Sequence, residues 1–156
     1  MPGGVEWEYE LKFDGYRALA VKKRGSVTLF SRNQKSFTAR FPNLLTALDD
    51  LPDESVIDGE IVAVDGSGRP SFNLLQNYAN NTTSIRFFAF DILMWRGKEL
   101  GGRPLDWRRD LLKTKVMPKL TGINYSETFD VTGEEMLAAV RSQRLEGAIA
   151  NRRDSL

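Results

Sequence analysis

The chain has 156 residues, 41% hydrophobic and 28% charged, with a net charge of +1. That is the composition of one globular domain with a moderate core, not of a polycation built to grip nucleic acid. Cysteine and histidine are both absent, which excludes disulfide frameworks, thiolate metal sites, Ser-His and Cys-His catalysis and the usual zinc chemistry. An enzyme built from this chain must work with Lys, Arg, Asp, Glu and any bound metal. No apolar run approaches membrane-spanning length, and the N-terminus lacks the basic-then-apolar form of a signal peptide. The expected setting is cytoplasmic, with no membrane partner.

In chain order, residues 5–12, 16–23 and 26–32 read as three short antiparallel strands. Gly15 marks the bend between the first two, and Lys23-Arg24-Gly25-Ser26 the turn between the second and third. The segment Glu10-Leu11-Lys12-Phe13-Asp14-Gly15-Tyr16-Arg17 concentrates charge inside an apolar run. Lys12 is expected at a strand end, beside the sheet and away from bulk water. Burial there would lower its pKa and free a neutral amine as a nucleophile. Arg17 and Arg32 favour attack on an activated phosphate over Schiff-base chemistry, because guanidinium forks suit anionic oxygens. The alternative is a surface lysine paired with Asp14 at a hairpin.

A short helix is predicted from Leu44 to Leu51, with Pro42 near its start. Residues 55–65 form a β-rich run interrupted by Asp58-Gly59-Glu60. Glycine inside a strand marks either a bulge or close approach of another group, and a hairpin turn at Asp58-Gly59 is the competing reading. Ser71 is placed to cap a helix running through Tyr78. Residues 85–95 are the best buried-strand candidate; alternation puts Phe88, Phe90 and Ile92 on one face and Phe87, Ala89 and Asp91 on the other.

A helix is expected from Asp106 to Met117. The basic residues Arg103, Arg108, Arg109, Lys113, Lys115 and Lys119 around it read as a solvated helix face in preference to a phosphate track. Residues 123–129 look like one strand, and Thr132-Gly133-Glu134-Glu135 a capping box for a helix to Gln143. Residues 145–153 form a closing strand opened by Glu146-Gly147.

Three carboxylate sites therefore lie beside glycines on strands: Asp14, the Asp58/Glu60 pair, and Glu146. Together with Lys12, Arg17 and Arg32 they supply a nucleophile, phosphate clamps and oxygen ligands suited to Mg²⁺. Phe90 and Ile149 could sandwich a base. Lysine attack on a nucleotide α-phosphate would form a phosphoramidate and expel pyrophosphate.

These residues carry a resemblance. Lys12-Phe13-Asp14-Gly15-Tyr16-Arg17 is similar to the K-x-D-G-x-R nucleophile motif of the adenylation (nucleotidyltransferase) domain of ATP-dependent DNA ligases, in particular the bacterial non-homologous end-joining type. Ser31-Arg32-Asn33, Asp58-Gly59-Glu60, Phe88-Ala89-Phe90-Asp91-Ile92-Leu93 and Glu146-Gly147 resemble further motifs of that family, in the family's order and spacing. The resemblance implies an α+β core of antiparallel sheets flanked by helices, ATP-grasp-like, with the nucleotide cleft between the sheets. It implies that Lys12 is adenylated, that Glu10 faces the adenine amino group and that Phe90 stacks on the ring. Arg17 and Arg32 would contact ribose and phosphates, Glu60 the ribose, and Glu146 the metal. Asp14 would orient Lys12 or fix the turn, with a place near the metal.

Two departures from the family stand out. The family continues into a K-x-K strand and an OB-fold domain, whereas this sequence ends at Leu156. The expectation is a single nucleotidyltransferase domain over residues 1–156, C-terminally incomplete and without an OB-fold domain. Self-adenylation would be impaired, nicked or broken DNA would be held weakly, and a separate protein partner could supply the missing elements. Asn151 also stands where the bacterial relatives usually carry lysine, which would remove a phosphate or DNA contact. Two other readings remain open: a non-catalytic nucleotide- or protein-binding remnant of a ligase, and a capping-type guanylyltransferase with a GTP preference.

Overall fold

A computed structural model describes residues 1–78 and 84–156. It is an α+β domain built on two sheets. A six-stranded sheet contains β2 (Tyr16–Lys23), β3 (Ser26–Ser31), β4 (Ser55–Val64), β5 (Ser84–Trp95), β6 (Lys98–Glu99) and β7 (Asn124–Tyr125), in the order β3-β2-β4-β5-β6 with β7 parallel to β5. A three-stranded sheet sets β1 (Trp7–Lys12) between β8 (Thr128–Phe129) and β9 (Gly147–Arg152). The remaining neighbours pair antiparallel.

The first expected hairpin does not form. β1 pairs with β8 and β9, while β2 pairs with β3 and β4, so the chain crosses from one sheet to the other between Lys12 and Tyr16. Gly15 permits the crossing, because a Cβ there would collide with the carbonyl oxygen of Ile61. Phe13 seals it by stacking on Phe88, with ring centroids 4.3 Å apart. Residues 123–129 also divide between the sheets: β7 joins β5, Ser126 donates its N–H to Ala89 at 2.8 Å, and β8 joins β1.

The core lies on one face of the larger sheet. Leu29, Ile57, Ile61, Phe87, Ala89 and Ile92 pack there against Phe41, Leu44 and Leu48 of α1 (Pro42–Leu48), Leu75 of α2 (Phe72–Gln76), and Leu112 and Val116. Pro42 opens α1 in the first turn, where its missing N–H costs nothing. Ser71 caps α2, accepting from the Leu74 N–H at 3.3 Å. The helix predicted from Asp106 is regular only as α3 (Leu105–Leu111); it widens to a π-helical turn at Leu112–Val116 and closes as a 3₁₀ turn at Met117–Lys119. Pro118 has no N–H to continue an α-helical ladder. The capping box at Thr132 and Glu135 forms, and starts α4 (Gly133–Ser142). No helix among the described residues is long and apolar enough to cross a membrane.

β4 runs without a turn through Asp58-Gly59-Glu60, so the hairpin reading there fails. The glycine serves a close approach and a bulge. Asp58 pairs with Asp91 and Gly59 with Ala89, leaving Phe90 as the extra residue. Strict alternation along β5 therefore breaks: Ile92 joins Phe87 and Ala89 in the core instead of Phe88 and Phe90. Phe90 and Asp91 both turn toward the second sheet and line the same cavity.

A Cβ on Gly59 would sit 2.5 Å from the Phe87 ring and from the Phe88 carbonyl oxygen. We predict that Gly59→Ala lowers the unfolding free energy by about 2 kcal/mol, as overpacking in a closed core does. Urea denaturation measures this, and a change within experimental error would contradict it.

Candidate active site

The cleft between the sheets is assembled from residues of β1, β4, β5 and β9 and from α3. Glu8, Glu10 and Lys12 alternate onto one face of β1. Glu8 and Glu10 are 4% and 5% exposed, so this charged face of the strand is as buried as the opposite face that carries Tyr9. Arg109 of α3, itself 4% exposed, meets both. Its guanidinium donates to Glu10 Oε2 at 3.0 Å and to the Ser126 carbonyl at 2.8 Å, and lies 3.5 Å from Glu8 Oε1. Ser126 Oγ donates to the same Glu10 oxygen at 3.1 Å, and Asn151 Nδ2 donates to Glu10 Oε1 at 3.0 Å. Burial pushes the Glu8 carboxyl above its usual range against the pull of Arg109 and Arg153.

Glu10, Glu60, Phe90 and Ile149 line two adjoining hollows of about 260 and 120 Å³. The larger adds Arg17, Asp91, Arg108, Arg109 and Asn151; the smaller adds Lys12, Phe13 and Ser126. Together they give a slot in which Phe90 and Ile149 stand among charged groups, with the Glu10 carboxylate lining both hollows and the Lys12 amine the smaller one. Arg17 forks onto Asp58 at 3.2 and 2.7 Å, and its guanidinium stands 5.2 Å from the centre of the Phe90 ring. Arg32 stands apart, in a neighbouring groove of about 580 Å³ that it shares with Arg17, Asp58, Phe30 and Leu93.

Lys12 is not the buried, lowered-pKa amine expected from sequence. Its side chain is 52% exposed and pairs with Glu146 at 2.8 Å. The hydrogen bond that Lys12 donates to Glu146, with the carboxylate's charge, raises the lysine pKa and holds the ammonium form. The surface pairing with Asp14 does not form either, since the partner is Glu146. Asp14 and Glu146 line a third hollow of about 310 Å³ with Lys12, Arg69 and Arg144. Among the described residues no group of three or more acidic ligands could hold a metal unaided. Two carboxylates beside the lysine nonetheless suit Mg²⁺, which commonly takes one or two carboxylates and completes its shell with substrate phosphates.

Glu60 has the group most poised to titrate near neutrality. Burial raises its carboxyl to about 7, against Arg17 and the Gly15 N–H, which favour the charged form.

Sequence reasoning missed Arg108, Arg109 and Ser126 as site residues, and gave Asn151 only as a lost phosphate or DNA contact, not as a partner of Glu10. The basic run was read as a solvated face, yet Arg108 and Arg109 are 5% and 4% exposed. Arg108 forks onto Asp91 at 2.9 and 3.1 Å. Asn151 is engaged with Glu10. The available signal was the pairing of two adjacent arginines with an otherwise uncompensated Glu-x-Glu strand.

A two-sheet α+β core with a lysine at the mouth of an inter-sheet slot defines a nucleotidyltransferase-type architecture. Residues 3–156 match the family described as the ATP dependent DNA ligase domain, and the chain belongs to that enzyme family. It is 40% identical over 151 residues to the multifunctional non-homologous end joining protein LigD of Mycobacterium bovis, covering 96% of this chain and 20% of that protein. With DNA ligase C1 of Mycolicibacterium smegmatis it shares 33% identity, over 95% of this chain and 47% of that one. A solved mycobacterial DNA ligase D, complexed with ATP and MES, superposes with a TM-score of 0.86 at 38% identity, covering 98% of this chain and 50% of that chain. The chain thus spans about a fifth of the length of the LigD proteins it matches.

The Glu60 carboxyl gives a pH prediction. Its native pKa lies above the unfolded value, so its stabilising contribution is complete below about pH 4.5 and is lost as pH rises through about 7. Allowing for partial solvent screening, the loss is on the order of 2 kcal/mol. In Glu60→Gln that decline should be missing when urea unfolding is compared at pH 5 and pH 8. An identical pH dependence in variant and wild type would refute the assignment.

Proposed function

We propose that this chain is the adenylation core of an ATP-dependent DNA ligase, binding ATP or AMP in the inter-sheet cleft and accepting AMP on Lys12. The observation that carries this reading is the convergence of Glu10, Lys12, Glu60, Phe90 and Ile149 on one slot. Adenine enters between Phe90 and Ile149, with its amino edge toward Glu10. Glu60 faces the ribose, Arg17 the sugar and α-phosphate, and Arg32 the outer phosphates or DNA. Lys12 Nζ gives up a proton to solvent, attacks the α-phosphorus and forms the N–P bond as the bond from the α-phosphorus to the bridging oxygen of the β-phosphate breaks, releasing pyrophosphate. Glu146 and Asp14 are the groups that would hold Mg²⁺, whose contribution when bound is neutralisation of phosphate charge.

The Lys12–Glu146 pair bears on rate. An ammonium cannot attack phosphorus, so nucleotide entry has to loosen that pair, and Arg17 is already forked onto Asp58. We infer slow self-adenylation by this chain alone. Sealing of nicked or broken DNA would follow from the adenylated lysine, with a separate protein partner supplying further phosphate contacts. The same ion pair favours a second reading, a domain that binds nucleotide without covalent transfer.

Exposure to ATP and Mg²⁺ followed by intact-protein mass spectrometry separates the two. An AMP adduct that disappears in Lys12→Ala is the expected result. Saturable ATP binding with no adduct at high protein and nucleotide concentrations would establish the second reading and overturn the first. A preference for GTP would instead point to a guanylyltransferase.

A further inference from the structure

Resting on that reading, the geometry points to Asn151 and Arg109 as positioning residues that select the purine by fixing the orientation of Glu10. A carboxylate that only accepts hydrogen bonds distinguishes a 6-amino purine from a 6-oxo purine only while its free lone pair is aimed at the base. A glutamate carboxylate can rotate about its own side-chain bonds even where its backbone is fixed in a strand, so aim has to come from its donors.

The donors here are unequal. Glu10 Oε2 receives two, Arg109 at 3.0 Å and Ser126 Oγ at 3.1 Å, which saturate it. Oε1 receives one, Asn151 Nδ2 at 3.0 Å. That leaves one acceptor direction on Oε1, in a side chain that lines the same hollow as Phe90 and Ile149. The donors come from three different parts of the fold: α3, the loop between β7 and β8, and β9. They fix the carboxylate plane as a two-donor contact on one oxygen and a one-donor contact on the other.

Arg109 is itself held by Tyr125 Oη at 3.3 Å and by the Ser126 carbonyl at 2.8 Å, so its fork does not swing freely. Among the described residues Asn151 Oδ1 accepts no hydrogen bond, which adds a second acceptor at the base end of the slot. An adenine amino group, with two hydrogens, suits this pair of acceptors. The guanine oxygen would face two acceptors and leave both unpaired. Lysine at position 151 would offer donors only, so asparagine makes the amino-group requirement stricter.

Isothermal titration of three triphosphates tests this: ATP, GTP, and purine riboside triphosphate, which carries hydrogen in place of the amino group. Wild type should bind ATP about tenfold more tightly than the purine analogue, and GTP more weakly still. Asn151→Leu should erase most of the ATP advantage while leaving affinity for the purine analogue within about twofold. Arg109→Lys, which keeps the charge but loses the fork, should do the same. A merely structural role would weaken all three nucleotides together, and that outcome overturns the proposal, as does an undiminished ATP advantage in both variants. If wild type binds ATP and the purine analogue equally, Glu10 does not read the amino group; the selection proposal fails while the nucleotide site stands. If wild type binds none of the three, the site assignment fails and this inference with it.

Discussion

Two consecutive arginines on one short helix hold the two sheets at the spacing that makes the cleft. Arg108 forks onto Asp91 of the larger sheet, and Arg109 reaches Glu8 and Glu10 of the smaller one. All of these contacts lie in a region where charge is expensive to leave unpaired. Removing one member of such a pair costs roughly 3–5 kcal/mol, far more than the pair contributes relative to apolar packing. The network therefore fixes register more than it adds stability. It specifies which face of β1 turns toward α3 and how deep Glu10 sits, and Phe90 and Ile149 line the same slot.

The chain crosses between the sheets at the slot itself. Residues 13–15 carry it from β1 to β2, and Ser126 with Glu127 from β7 to β8. Each crossing leaves a functional group at the seam: Lys12 just before the first, and the Ser126 hydroxyl and carbonyl at the second. The bulge at Phe90 adds an aromatic face to the same seam. Topology brings Glu60, Phe90 and Ile149 from three other strands to the Glu10 carboxylate and the Lys12 amine of β1 in one cavity system. The Lys12–Glu146 contact then closes the outer end with a charge pair that a nucleotide phosphate would have to compete with.

Much of this was legible in the sequence. Aromatic and β-branched runs located β2, β3, β4 and β5. The Thr132 capping box located α4, and five motifs, three of them containing a glycine, assigned the family. What was lost depended on long-range pairing. The Lys12–Gly15 segment has the composition of a hairpin, and only the competition of β8 and β9 for β1 shows that it is a crossing. Alternation along β5 predicted the wrong face for Ile92, because a bulge shifts the pattern without changing composition. Arg108 and Arg109 looked solvated since their partners, Asp91 and the Glu8/Glu10 pair, lie on distant strands. The pKa of Lys12 moved opposite to expectation for the same reason: Glu146, far along the chain, replaced burial as the dominant influence.

The central claim is that the narrow inter-sheet slot, and not the larger groove beside Arg32, is where the base resides. A crystal structure of this chain soaked with ATP decides it most directly. The account predicts adenine between Phe90 and Ile149 with its amino nitrogen on Glu10; density for the base against Phe30 and Leu93 in the wider groove would contradict it.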